Sequence, residues 1–506
     1  MKKLFALVVS LLMCVCVLVG CSAAPNDNYY PGASFDGFVN SYDDFGNNYK
    51  YDEIVEQPFV STSENAESYF SMDRSTSGYS LMRRQINGGS LPAPASVAIE
   101  QYINYFNYDY LRPTDGKALA AGATLFDCPW NATSKLLRIG VAAEEVKREN
   151  TRPNNIVFLI DVSGSMYDVD RLPLVQQSFS MLLPMLTADD TVSVVTYASG
   201  VKVVAEGLKC TEDNKARIDA IVSDLTASGS TNGEGGIQLA YKCAEKYKTT
   251  NSNNRVILAT DGDFNVGAQS KEDLQKLISQ KIDQNIQLTV LGVGMGNYRA
   301  DFMETLTKNG NGACYYIDTI TEARKVLVED FGGTINTVAY DAKAAVKFNA
   351  DVVDSYRIIG YENSLLSRDE YEDSKTNAGE IGSGHTVTAV YEVKLKETVN
   401  AGDKVCDVEI AYKTKQTVDG KETLVSATPV TATVTYNPDY QPSSDDVFVG
   451  CVAEFGLILR TSKYKGDATY AAITERLNSL GDYVTKDCFK AEFADLVQKA
   501  STLFRL

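Results

Sequence analysis

The sequence predicts a multidomain α/β plus β protein. A doubly wound parallel sheet with flanking helices is inserted next to a β-sandwich, and a helical segment closes the chain. Three observations carry this. Between residues 154 and 336, short apolar runs alternate with amphipathic helical stretches. After residue 336 the apolar pattern changes to period two, as in half-buried antiparallel strands. Strand-like runs also precede residue 154, so both sets are read as one sandwich that the α/β part interrupts.

Composition narrows the function. The formal charge of −18 over 506 residues opposes nucleic acid as a partner, because phosphate binding needs a basic surface. The single histidine, His385, rules out a zinc site built on several histidines and any chemistry needing two. It lies in Gly-Ser-Gly-His-Thr before a strand-like run and is read as structural.

Residues 1–21 read as a signal segment. Lys2 and Lys3 precede a mostly apolar run from Leu4 to Val19 that is short for a membrane span. Leu18-Val19-Gly20-Cys21 resembles a bacterial lipobox, which implies diacylglycerol on the Cys21 thiol and removal of the residues before it. Loss of Lys2 and Lys3 takes the formal charge from −18 to −20. The chain is thus expected at the cell membrane, lipid-anchored on its extracytoplasmic face. Cys128, Cys210, Cys243, Cys314, Cys406, Cys451 and Cys488 remain, with no Cys-x-x-Cys spacing and no evident disulfide framework.

Residues 22–58 are rich in Asn, Tyr, Asp, Gly and Ser without periodicity and read as a disordered tether. Residues 59–120 read as an N-terminal helical segment: Tyr79, Met82 and Ile86 share one face, and Ile99, Tyr102, Ile103 and Phe106 another. Residues 121–153 carry strands, Ala123–Phe126 and Lys135–Val141, around the turn Cys128-Pro129-Trp130-Asn131.

The α/β domain spans 154–336, with strands expected at Ile156–Ile160, Val192–Tyr197, Val256–Ala259, Leu288–Val293 and Cys314–Ile317. The sandwich region spans 337–440, where Val387, Ala389, Tyr391, Val393 and Leu395 alternate with polar residues. Residues 441–506 return to helical spacing, with Val452, Phe455 and Leu459 on one face.

The first strand ends in Asp161-Val162-Ser163-Gly164-Ser165, a turn carrying a carboxylate and two hydroxyls. Ligands of open α/β sheets bind beyond the carboxyl ends of the strands. Thr231 lies in the Gly-Ser-Thr-Asn loop before the helix starting near Gly235, and Asp261 follows the strand ending at Ala259. Asp161, Ser163, Ser165, Thr231 and Asp261 offer only hard oxygens, which suit Mg²⁺ or Mn²⁺. Hydroxyls can bind the ion directly while aspartates hold its waters, leaving a position for a carboxylate from outside. Without metal the two aspartates would repel, and one pKa should rise.

Asp-x-Ser-Gly-Ser after an apolar strand, then a loop threonine, then Thr-Asp-Gly, resembles the ordered motif of von Willebrand factor A domains. In that family these positions form the metal-ion-dependent adhesion site. The resemblance implies that role for Asp161, Ser163, Ser165, Thr231 and Asp261. Ser90-Leu91-Pro92-Ala93-Pro94, Cys128-Pro129-Trp130-Asn131, Gly360-Tyr361-Glu362-Asn363 and Arg460-Thr461-Ser462-Lys463-Tyr464 are similar to bacterial von Willebrand A lipoproteins of the YfbK type. So are Asn265-Val266-Gly267 and Asn297-Tyr298 with the residues before them.

The leading expectation is a non-enzymatic binding protein, tethered to the membrane through lipid on Cys21, whose Mg²⁺ site takes an acidic side chain of a partner protein. A metal-assisted hydrolase is the alternative. It needs a base or nucleophile near the ion, for which Asp168, Asp170 and Asp263 are candidates. No phosphate-loop or nucleophile-elbow pattern accompanies them. A third reading, a metal-independent scaffold of an envelope complex, predicts that partner binding survives chelation.

Overall fold

The computed structural model describes residues 54–503 except 73, 115, 148–150, 250, 263–270, 283–284, 296–302, 304, 308–309, 377 and 419–420, and except the side chains of 271–274, 282 and 421. The signal segment, Cys21, the tether to residue 53, Asp263, Asn265-Val266-Gly267 and Asn297-Tyr298 lie outside the described residues.

Strand Asn154–Asp161 is buried along its whole length, as its unbroken apolar run requires of a strand covered on both faces. It forms the middle of a six-stranded sheet in the order Cys314–Tyr316, Gln287–Gly292, Asn253–Thr260, Asn154–Asp161, Thr191–Tyr197, Val201–Lys209. The first five run parallel. Separate apolar cores cover the two faces, one around Phe158, Phe179 and Leu182, the other around Leu159, Ile237 and Tyr241. The expected wholly parallel sheet is corrected at its edge. Val201–Lys209 pairs antiparallel with Thr191–Tyr197 across the short turn at Ala198–Gly200. So short a link can only make a hairpin.

Two antiparallel sheets form the sandwich, and each mixes strands from both sides of the α/β domain. One has the order Val60–Ser61, Val353–Ile359, Thr386–Leu395, Lys135–Ala143, Leu119–Asp127. The other runs Leu365–Leu366, Glu67–Ser71, Thr337–Phe348, Lys404–Val418, Lys421–Ser426, with Gly379–Gly382 and Val430–Thr435 alongside. Leu137, Ile139, Val346, Tyr391 and Val408 fill the space between. The α/β domain is therefore an insertion in the sandwich.

Segment 59–120 is not helical throughout. Val60–Ser61 and Glu67–Ser71 are strands whose partners are Val353–Ile359 and Thr337–Phe348. Partners so distant in sequence leave no local periodicity to read. Helices Ser77–Asn87 and Ile99–Ile103 pack with the C-terminal helices Ser444–Leu459 and Cys488–Leu503 around Tyr79, Phe106, Phe448 and Phe493. Arg83 ties this cluster to the α/β domain. Its buried guanidinium bonds Asp318 and Glu322 (2.8 Å to the latter) and reaches Glu492 at 3.0 Å. Among the described residues no helix is long and apolar enough to cross a membrane.

Candidate metal centre

Parallel pairing aligns the carboxyl ends of three strands. Asp161 stands opposite Tyr197, and Ile160 opposite Ala259, so Thr260 and Asp261 emerge beside Asp161. Asp161 is fully buried. Its Oδ1 accepts the Ser163 amide at 2.9 Å. Its Oδ2 accepts the Tyr197 hydroxyl at 3.0 Å and the Thr260 hydroxyl at 3.1 Å. Burial pushes the Asp161 pKa up to about 6. The charge of Asp261 adds to the rise, while the bonds from Ser163 and Tyr197 oppose it. The expected rise is present, but desolvation rather than repulsion is its main cause.

Ser163 is buried and Ser165 half-buried, with their hydroxyl oxygens 3.1 Å apart. Met166 is wholly buried and anchors the turn Gly164–Tyr167, which leaves Tyr167 and Val169 outside at 79% and 54% exposure.

The Thr231 loop is latched to the Asp161 loop. Ser228 donates its amide to the Val162 carbonyl at 2.8 Å, and Gly164 donates to the Gly229 carbonyl at 2.9 Å. Gly229 has φ +82°, a conformation suited to glycine, and a Cβ there would stand 2.5 Å from the Ser199 hydroxyl oxygen. The amides of Ser230 and Asn232 bond Ser199 and Ala198 at 2.9 and 2.8 Å, fixing the residues on either side of half-buried Thr231. Asn232 then caps helix Gly233–Tyr247 by accepting the Gly235 amide at 3.1 Å.

Asp261 is buried, and the guanidinium of Arg171 donates to its Oδ2 at 3.0 Å. Arg171 also donates to the carbonyls of Ser165 and of Met295, the latter at 2.9 Å. Gly294, at φ +72°, makes room for it: a Cβ there would lie 2.6 Å from Arg171 Nε. Sequence reading missed Arg171, although it is the only basic residue between Asp161 and the helix Leu172–Leu182. It also missed Tyr197 and Thr260, which orient Asp161. Their positions as last residues of the flanking strands were the available signal.

The donor set of three hydroxyls and two carboxylates, offset by one guanidinium, fits a hard divalent ion bound partly through water. Among the described residues no three His, Cys, Asp or Glu side chains gather as a metal cluster. Asp170 is ion-paired with Arg84, and Asp168 lies 3.8 Å from Arg171. His385 is buried, as expected of a structural histidine. Of the seven cysteines after Cys21, six are buried and Cys488 is exposed.

Comparison with known proteins follows the same division. A family model for the von Willebrand factor type A domain matches residues 155–329. A second, described as the C-terminal part of uncharacterized protein YfbK, matches 333–503, and a third, described as von Willebrand factor, matches 46–138. The Escherichia coli K12 protein YfbK is 33% identical over 472 residues, covering 89% of this chain and 81% of its own length. Human inter-alpha-trypsin inhibitor heavy chain H2 is 28% identical over 183 residues, 34% of this chain and 19% of that protein. A solved von Willebrand factor type A structure from Catenulispora acidiphila aligns over 72% of this chain and 81% of its own, at 16% identity and a TM-score of 0.41. Proteins with this domain generally act in protein–protein contact and metal-dependent adhesion.

Proposed function

The chain belongs to the YfbK family, built around a von Willebrand factor type A domain, and from that premise we propose that it is a membrane-tethered receptor with a Mg²⁺-dependent adhesion site. Asp161, Ser163, Ser165, Thr231 and Asp261 would hold the ion, directly or through water. When bound, the ion supplies a positive centre for a carboxylate of a partner protein. Lipid on Cys21 would anchor the chain to the outer face of the cell membrane, and the residues to about 58 would space it from the surface.

The observation that carries this reading is the preparation of Asp161. Three donors fix its carboxylate at the carboxyl edge of the sheet, next to paired serine hydroxyls and a threonine loop latched at both ends. Rigid placement of ligand groups before binding is what a specific site needs. Of the acidic candidates for a hydrolytic base, Asp170 is ion-paired with Arg84 and Asp168 stands 3.8 Å from Arg171, while Asp263 lies outside the described residues. The exposed Tyr167 and Val169 add an apolar rim of the kind that anchors protein partners.

The test is retention of envelope proteins on residues 22–506, with Mg²⁺ and with EDTA, beside the Asp161→Ala variant. Capture only by the unsubstituted chain with Mg²⁺ is expected. Equal capture in all four conditions would overturn the metal-bridged reading and favour contact through the sandwich or the C-terminal helices.

A further inference from the structure

Residues 166–171 lead from the serine turn into helix Leu172–Leu182 and carry the exposed rim. One backbone bond, from the Arg171 amide to the Asp168 carbonyl at 3.0 Å, closes this loop locally. No side chain caps the helix that follows, and Arg171, at φ −122° and ψ −108°, is neither helical nor extended. Tyr167, Asp168 and Val169 are exposed between buried Met166 and buried Leu172. Asp170 and Arg171 are therefore the side chains that hold the second half of the loop. Arg171 reaches inward to Asp261 and to the Ser165 and Met295 carbonyls. Asp170 reaches out of the α/β domain, to the guanidinium of Arg84.

Arg84 projects from a platform that is fixed independently of the metal site. Its helix, Ser77–Asn87, buries Leu81, Met82 and Ile86. The preceding residue, Arg83, is ion-paired with Asp318, Glu322 and Glu492. Lys499 of the C-terminal helix donates to Asn87 Oδ1 at 2.7 Å. Arg84 and Asp170 are both half-buried, and among the described residues Arg84 is the cation within ion-pair distance of Asp170. Tyr316 and Asp318 also stand near Arg84. Asp318 is already taken by Arg83, whose Nε donates to it at 2.8 Å. Tyr316 donates its hydroxyl to the Gly294 carbonyl at 2.5 Å, beside the Met295 carbonyl that Arg171 bonds. A half-buried carboxylate that loses its cation must turn toward water. Asp170 would then carry the adjoining Arg171 with it and slacken the loop that holds Ser165.

We propose that Arg84 is a positioning residue of the candidate metal centre, acting through Asp170 on the loop that carries Ser165 and Arg171. The centre is then shared between the α/β domain and the helical segment that precedes it in the chain. This rests on the metal-dependent reading above. Charge and position make opposite predictions for Arg84. Removing a cation from the neighbourhood of an ion site should by charge alone strengthen Mg²⁺ binding. Loss of a positioning contact should weaken it, because the groups that meet the ion lose their fixed places. Arg84→Gln keeps the Arg171 charge at the site, so the sign of its effect reports position.

The test uses the full chain in detergent. Mg²⁺ affinity is measured by isothermal titration, and amide hydrogen exchange of residues 163–172 is followed in EDTA. Arg84→Gln should weaken Mg²⁺ binding at least about threefold and speed this exchange by a similar factor, while residues 154–160 keep their rate. The contact uses one nitrogen of Arg84, so Arg84→Lys should restore both. Asp170→Asn should speed exchange as Arg84→Gln does, and the double variant no further, because both remove the same contact. If Arg84→Gln does not fold, the exchange of Asp170→Asn in EDTA stands as the test. Absence of Mg²⁺ binding by the unsubstituted chain would overturn the metal reading and this inference with it. Where that chain binds Mg²⁺, equal or tighter binding by Arg84→Gln, unchanged exchange in the folded variants, or losses that Arg84→Lys does not restore would overturn the role of Arg84 alone.

Discussion

Arg171 donates to Asp261 across 3.0 Å, joining a loop of the first strand to one ninety residues later in the chain. Both groups are largely removed from water, with side-chain exposures of 14% and 1%. The pair, with the Arg171 bonds to the Ser165 and Met295 carbonyls, clasps three loops at the sheet edge. It also places one positive charge against the two carboxylates that the ion would meet.

Arg171→Ala should destabilise the metal-free chain by about 3 kcal/mol, because it strands a buried carboxylate. Mg²⁺ should restore more stability to this variant than to the unsubstituted chain, since the ion then meets two uncompensated carboxylates. Urea unfolding with Mg²⁺ and with EDTA measures both. An equal or smaller Mg²⁺ gain in Arg171→Ala would show that the arginine serves only to position Asp261.

Asp330 predicts an acid limb. Burial alone would raise its pKa, but Lys325 and then Arg74 overcome that and bring it down to about 2, from 3.8. A depressed carboxyl stabilises the fold above its unfolded pKa, and that contribution is lost as pH falls through the folded one. The loss should amount to about 2 kcal/mol between about pH 4 and pH 2. Asp330→Asn should flatten this part of the stability–pH curve in denaturant titrations. An unchanged slope would contradict the assignment.

Tyr167 and Val169 touch little of the protein, so Tyr167→Ser and Val169→Ser should change stability by no more than about 0.5 kcal/mol. If they rim the partner site, Tyr167→Ser should weaken retention of an Mg²⁺-dependent partner about tenfold or more. Binding measured beside Asp161→Ala separates the two contributions. Loss in Asp161→Ala with none in Tyr167→Ser would leave the metal and remove the rim.

Cys21 is expected to carry the lipid. Radiolabelled palmitate should enter the full chain in its host and be absent from Cys21→Ser, which should also leave the membrane fraction. Label retained in Cys21→Ser would refute the anchor.

Much of the candidate site's layout was legible because its requirements are local. A hydroxyl-rich turn after a doubly buried strand must lie at the sheet edge, and Ser163 and Ser165 follow Asp161 closely enough to share its turn. The loops of Thr231 and Asp261 could be placed because parallel strands end on the same side. Other features depend on contacts between distant residues and leave no periodic trace. Arg171 reaches Asp261, and Glu67–Ser71 pairs with Thr337–Phe348, only in the folded chain. The antiparallel edge Val201–Lys209 was hidden by its half-exposed, weakly apolar pattern.

The most direct test of the central claim is isothermal titration of Mg²⁺, and in parallel Mn²⁺, into the full chain and into Asp161→Ala and Thr231→Ala. The account predicts one saturable site in the unsubstituted chain, no binding in Asp161→Ala, and affinity at least about tenfold weaker in Thr231→Ala, as loss of a ligand-shell group costs. Undiminished binding in Asp161→Ala, or no binding of either ion to the unsubstituted chain, would contradict it.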